Sequence, residues 1–293
     1  MFLAELLISG IAVGSIYSLV ALGFVLIYKS TRVLNFAQGE LVLIGAFVAF
    51  AFLSQVGVGP WIALPLTMII SVLLGLLIER TALRPMIGEP VISVIMLTIG
   101  LSSILKGSCR AIWGSVNRPF PTIFPDTLIT IGPISVPPPF FWSFIISIFL
   151  LIVFAIFFKY SRLGIVMRST ANDQTATLSL GISVKRVFAL SWAIAALVGA
   201  IGGVLLGSIS VLDMNLGYIG LKVFPVVILG GLDSIPGAIV GGIIIAVLEN
   251  LTGGYLEGII GGGVKSVAPF VFLLFVLVIK PYGLFGTEEI ERL

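Results

Sequence analysis

Uncharged apolar runs long enough to cross a membrane dominate this chain, separated by short polar breaks. Residues 6–28 carry no charge. At helical rise they reach about 34 Å, enough for a hydrocarbon core of roughly 30 Å. Lys29 and Arg32 end this first span. A second uncharged stretch, Leu41 to Ile78, is broken at Gly57 to Pro60 (GVGP), where Gly and Pro punctuate helices, and so predicts spans 2 and 3. The charged segment ERTALRPMIGE (79–89) leads into span 4, residues 90–112, which closes near Lys106, Arg110 and Trp113.

Residues 114–139 hold Pro119, Pro121, Pro125 and the triplet Pro137 to Pro139, which argues against a continuous helix and predicts the longest loop on its side. Span 5 follows from Phe140 to Phe158, then the long polar stretch Lys159 to Arg186, then span 6 from Val187 to about Leu212. Two further apolar runs, 216–229 and 235–248, extend only about 21 Å each at helical rise. They fit either a re-entrant pair or two short spans. A last run, Val264 to Ile279, precedes the acidic tail TEEIERL. The pattern predicts an all-α polytopic transmembrane helix bundle of eight or nine apolar segments, forming a single domain over 1–293.

Composition agrees with that reading. Of 293 residues, 59% are hydrophobic and 10% charged, with mean hydropathy +1.24, whereas soluble domains carry roughly 25% charged residues. The formal net charge of +3 sits in short loops and implies no nucleic-acid partner. Eleven basic residues fall on one side: Lys29, Arg32, Arg80, Arg84, Lys159, Arg162, Arg168, Lys185, Arg186, Lys280 and Arg292. Four fall on the other: Lys106, Arg110, Arg118 and Lys265. The positive-inside rule then places the N-terminus outside and the C-terminus in the cytoplasm. The N-terminus lacks a basic n-region and carries Glu5, so it reads as an uncleaved first span.

Lys222 lies between apolar runs and is expected to snorkel to the outer interface, since a cation at mid-bilayer costs ~2.5 to 3.5 kcal/mol on insertion scales. Histidine is absent and Cys109 is the single cysteine. That excludes disulfide frameworks, zinc sites and His-based catalysis or proton relays within the chain. No G-x-x-x-x-G-K-S/T string occurs, so ATP would have to be hydrolysed by another subunit, and no cofactor is expected here.

Three segments carry candidate chemistry. In the polar stretch, Asp173 is a good N-cap and Gly181 a good C-cap for a short cytoplasmic helix, which either packs on its own bundle or receives a soluble partner. In VLNFAQGE, Asn35 can cap a helix with Gln38 at N3 and Glu40 in its first turn. These three residues form a plain helix start or face a translocation path or gate. In ILGGLDSIPGAIVGG, Gly230 and Gly231 stop one helix and Asp233 or Ser234 starts another, as in a cytoplasmic turn or a broken helix along a water-filled path. Gly10 and Gly14, and Gly199, Gly203 and Gly207, form small-residue stripes suited to close helix packing within the bundle.

The order of RSTANDQTATLSLGI (168–182), VLNFAQGELVLIGAF (33–47) and KVFPVVILGGLDSIPGAIVGG (222–242) resembles the smaller permease of branched-chain amino acid ABC importers. The resemblance implies an inner-membrane permease, a second permease chain, two cytoplasmic ATPases, and a solute-binding protein that delivers branched-chain amino acids or related small polar solutes. It also implies that the 168–182 loop couples to an ATPase through an E-A-A-x-x-x-G pattern, of which Ala176 and Gly181 match. Thr175 replaces the glutamate, which leaves shape and the apolar Leu178, Leu180 and Ile182 to form the joint, with Arg168 and Asp173 flanking it. An ion-coupled secondary transporter is the alternative, disfavoured by the uncharged interiors of spans 1, 2, 3, 5 and 6.

Overall fold

The computed structural model describes residues 2–125, 127–131, 134–172 and 174–286. Eleven α-helices follow the apolar pattern: α1 Phe2–Thr31, α2 Gln38–Phe50, α3 Pro60–Ile78, α4 Val91–Trp113, α5 Pro138–Tyr160, α6 Arg162–Asn172, α7 Gln174–Ser179, α8 Val184–Ile209, α9 Ile219–Gly230, α10 Ile235–Ile260 and α11 Val264–Ile279. A π-helical turn, Ala51–Val56, lengthens α2, and a 3-10 turn, Met214–Tyr218, leads into α9. Among the described residues, seven helices are long and apolar enough to cross a membrane, and Met214–Gly230 and Val264–Ile279 are shorter apolar helical stretches.

Helices α1 and α8 form the core, their side chains buried on most faces. The stripes of small residues let them do so. A methyl group at Gly14 would lie 2.8 Å from Ile243 Cα, and one at Gly203 would lie 2.1 Å from Val42 O, so α1 meets α10, and α8 meets α2, nearly backbone to backbone. Helices α3, α4, α5 and α11 ring this core and turn residues such as Leu73, Phe149 and Phe275 outward, as an apolar solvent requires.

The 213–251 region resolves into one shorter apolar helical stretch, Met214–Gly230, and one helix long enough to span, α10. Gly10 and Gly14 of α1 approach Val247 and Ile243, while Lys29 Nζ donates to Asp233 O at 2.7 Å, so α10 runs antiparallel along nearly all of α1. At 26 residues it reaches about 39 Å. The preceding 3-10 turn and α9 together reach roughly 28 Å. The sequence underestimates α10 because Glu249 and Asn250 are polar yet stay inside it.

The proline-rich loop is more ordered than its composition implies. Residues Ile129–Ile131 and Ile134–Val136 pair as a two-stranded antiparallel ribbon, with Ile129 opposite Val136. Pro138 and Pro139 belong to the first turn of α5, where a missing N–H costs nothing.

Candidate functional site

The polar residues of VLNFAQGE lie inside the bundle rather than at its surface. After α1 ends, residues 33–37 run back without helix, and α2 starts beside the middle of α1 and α8. Gln38 Nε2 donates to Ala195 O at 3.2 Å and would touch a methyl group on Gly23. Gly23 is eight residues, about 12 Å, before the end of α1. Gln38 is 0% exposed. Asn35 does not form the expected capping box. Its Oδ1 accepts from Ala37 N at 3.0 Å in an Asx turn, and its Nδ2 donates to Gln38 Oε1 at 3.3 Å. Thr98 of α4 secures the re-entering backbone: Phe36 N donates to its hydroxyl, which donates in turn to Leu34 O, both at 3.3 Å. These bonds supply partners to backbone groups that lipid could not satisfy.

The first turns of α2 and of the 214–230 helical run meet here. A methyl group on Gly39 would sit 2.0 Å from Gly217 O and 2.7 Å from Gly220 N. Glu40 lies at this junction, hydrogen-bonded with Ser102 and near Lys106 of α4. A carboxylate is the charge that two converging helix N-termini favour.

Gly230, Gly231 and Ser234 lie elsewhere, in the turn between α9 and α10 at the end of the bundle that carries Lys29. Gly231 takes φ 104°, a conformation open to glycine. Ser234 N-caps α10, its Oγ accepting from Gly237 N at 3.1 Å. The 280–286 segment closes over the turn: Leu284 N donates to Leu229 O at 2.7 Å, and Phe285 N to Gly230 O at 3.1 Å. These residues share no hydrogen bond with the Asn35–Gln38–Glu40 group among the described residues.

The long polar stretch forms α6 and α7. Asp173, expected as an N-cap, lies outside the described residues, as do Arg292 and the acidic tail. Gly181 closes α7 in the left-handed conformation, φ 77°. Ile182 N bonds to Thr177 O at 3.2 Å and Gly181 N to Leu178 O at 2.9 Å, the paired bonds of a Schellman motif. One face of the pair packs down: Met167, Thr170 and Thr177 are buried, and Ile182 is half-buried against the core. The other face is open, with Leu178 57% and Leu180 77% exposed. Arg168 reaches back toward Lys159 O at 3.5 Å. The packing reading of this loop holds for one face, and the other face stands open.

A further constellation escaped the sequence reading. Lys222 does not snorkel outward; it forms an ion pair with Glu249 of α10. Glu249 is 2% exposed and Lys222 28%. Tyr17 of α1 donates its hydroxyl to the other carboxylate oxygen at 2.9 Å. This group lines a cavity of about 630 Å³ at the bundle end that carries the N-terminus, with Leu6, Ser9 and Asp213 toward its mouth. The available signal was a pair of opposite charges, one in each of two successive apolar runs, each of which read singly as a run boundary. Replacing Glu249 by alanine strands Lys222 and the Tyr17 hydroxyl. The expected loss is about 3 kcal/mol, at the low end for a broken buried pair because Lys222 keeps some solvent, and it would be read as a lower thermal midpoint in detergent.

Nine apolar helical stretches among the described residues, seven of them long enough to cross, make this a polytopic membrane helix bundle. The chain belongs to the family described as branched-chain amino acid transport system / permease component, matched over residues 6–279. It is 32% identical to the high-affinity branched-chain amino acid transport system permease protein LivH of Salmonella typhimurium, covering 100% of this chain and 98% of that one. It is 30% identical to the corresponding permease protein BraD of Pseudomonas aeruginosa, over 98% and 96% of the two chains. Its fold is similar to a chain in the structure of PsaBC from Streptococcus pneumoniae in complex with Fab, with TM-score 0.50 and 17% identity over 96% and 93% of the chains. That likeness concerns the fold alone.

Proposed function

We propose that this chain is the membrane permease subunit of an ATP-driven importer of branched-chain amino acids, sited in a prokaryotic plasma membrane with its N-terminus outside. It lines the translocation path together with a second permease subunit, alternates between outward and inward access, and receives solute from a binding protein. Two cytoplasmic ATPases drive the cycle and dock on α6 and α7. Membership of the permease family supports the solute class. The observation that carries the ATPase coupling is the open face of α7, where Leu178 and Leu180 project from a helix whose other side is packed. Exposed leucines on a polar cytoplasmic loop face neither lipid nor core and mark an interaction surface.

The buried carboxylate of Glu249 favours one other reading, an ion-coupled secondary transporter, since such proteins bind ions or protons at intramembrane acids. Affinity purification of the tagged chain from its native membranes, followed by a nucleotide-hydrolysis assay, separates the two. Recovery of an ATPase whose activity rises with loaded binding protein is the expected result. A pure chain with no ATPase, importing leucine along an ion gradient, would overturn the proposal in favour of ion coupling.

A further inference from the structure

We propose that the Lys222–Glu249 pair is the recognition site for the zwitterionic head of the transported amino acid, and this rests on the amino-acid permease reading above. The pair has the form of a built site. Glu249 is fixed from two sides, by Lys222 on one oxygen and by Tyr17 on the other. Among the described residues, Lys222 Nζ has Glu249 as its hydrogen-bond partner, which leaves two of its three N–H donors for the cavity it lines.

An α-amino acid carries the same two charges at a similar separation. Its carboxylate can lie on Lys222 while its ammonium lies against Glu249, so one internal pair becomes two charge-assisted pairs and no charge is left alone. A solute with one charge satisfies one partner and strands the other, which gives discrimination by the cost of an unpaired buried ion. Val13, Leu206 and Ile219 also line the cavity and offer an aliphatic side chain apolar contact, beside polar lining groups such as Asp213, Asn250 and Lys265. The volume of about 630 Å³ is in the range of small-molecule sites. Placed in apolar surroundings, an ion pair gains little over apolar residues of the same shape, so stability alone gives no reason for its presence.

The test uses the purified permease complex stripped of soluble binding protein, with tritiated leucine as probe. Leucine is expected to bind and to be displaced by isoleucine and valine. 4-Methylpentanoate, which lacks the ammonium, and 3-methylbutylamine, which lacks the carboxylate, are expected to compete at least a hundredfold less well. Glu249→Gln, which keeps a partner for Tyr17, and Lys222→Met should each weaken leucine binding tenfold or more. The double variant Glu249→Gln with Lys222→Met removes both charges together and keeps a partner for Tyr17, so it should stay near the thermal midpoint of the wild type yet lose leucine binding. Wild-type affinity in that folded double variant, or equal competition by a singly charged analogue, would overturn the site. A wild-type complex that imports no branched-chain amino acid would instead overturn the reading on which the site rests.

Discussion

Gly39→Val is expected to abolish most folded protein. The first added carbon would lie 2.0 Å from Gly217 O and 2.7 Å from Gly220 N, and both obstacles are backbone, so no side chain can rotate away. Overpacking usually costs 1–3 kcal/mol; with two first turns forced apart and the Glu40 junction opened, about 3 kcal/mol or more is expected. The check is the monodisperse yield and thermal midpoint in detergent, beside Gly59→Val. Gly59 has nothing within 4 Å of an added carbon and an ordinary φ of −62°, so that variant should behave like wild type. Equal behaviour of the two variants would show that the α2–α9 junction is looser than described.

The second large effect concerns coupling. Leu178→Glu combined with Leu180→Glu is expected to leave the bundle intact, because both side chains stand in solvent, while eliminating ATPase recovery and import. Burying two leucines in a partner groove is worth roughly 3 kcal/mol, so their loss weakens association by more than about a hundredfold before the cost of burying two carboxylates. Co-purified ATPase and leucine uptake in reconstituted vesicles provide the readouts. Normal uptake by the double variant would move the joint away from α7. The wild-type glycine at 181 keeps the presentation of these leucines fixed, since its left-handed turn directly follows Leu180 and closes the end of α7.

Much of the architecture was legible along the chain because a bilayer imposes a simple rule. A segment must be largely uncharged and about twenty residues long to cross, so α1, α3, α5 and α8 can be counted from their uncharged interiors alone. Helix ends were legible where one residue type meets a backbone demand, as with Gly181 at φ 77° and Ser234 over Gly237 N. Glycine stripes were legible as close-packing faces, although the sequence did not say which helix fills each.

The candidate site was legible only in fragments. Asn35, Gln38 and Glu40 stood out as polar residues beside an apolar run, but their natural placement was at the membrane surface, next to Lys29 and Arg32. Their depth depends on residues 33–37 turning back into the bundle, which Thr98 and Ala195 permit from 62 and 157 positions away. Lys222 was read as a lone cation seeking an interface because its partner is 27 residues distant, on another helix, beyond the i±4 neighbours a helical pattern exposes.

The sequence by itself determined the solvent, the approximate number of apolar segments, the family and several of the places where helices stop. Each of these follows from local composition or from the φ and hydrogen-bond needs of single residues. The tertiary structure alone decided that α2 and α9 begin against each other inside the bundle, that α10 runs along nearly all of α1, and that Lys222 and Glu249 are partners. Burial of a charge is decided by what lies across the gap between helices, and that distance is written nowhere along the chain.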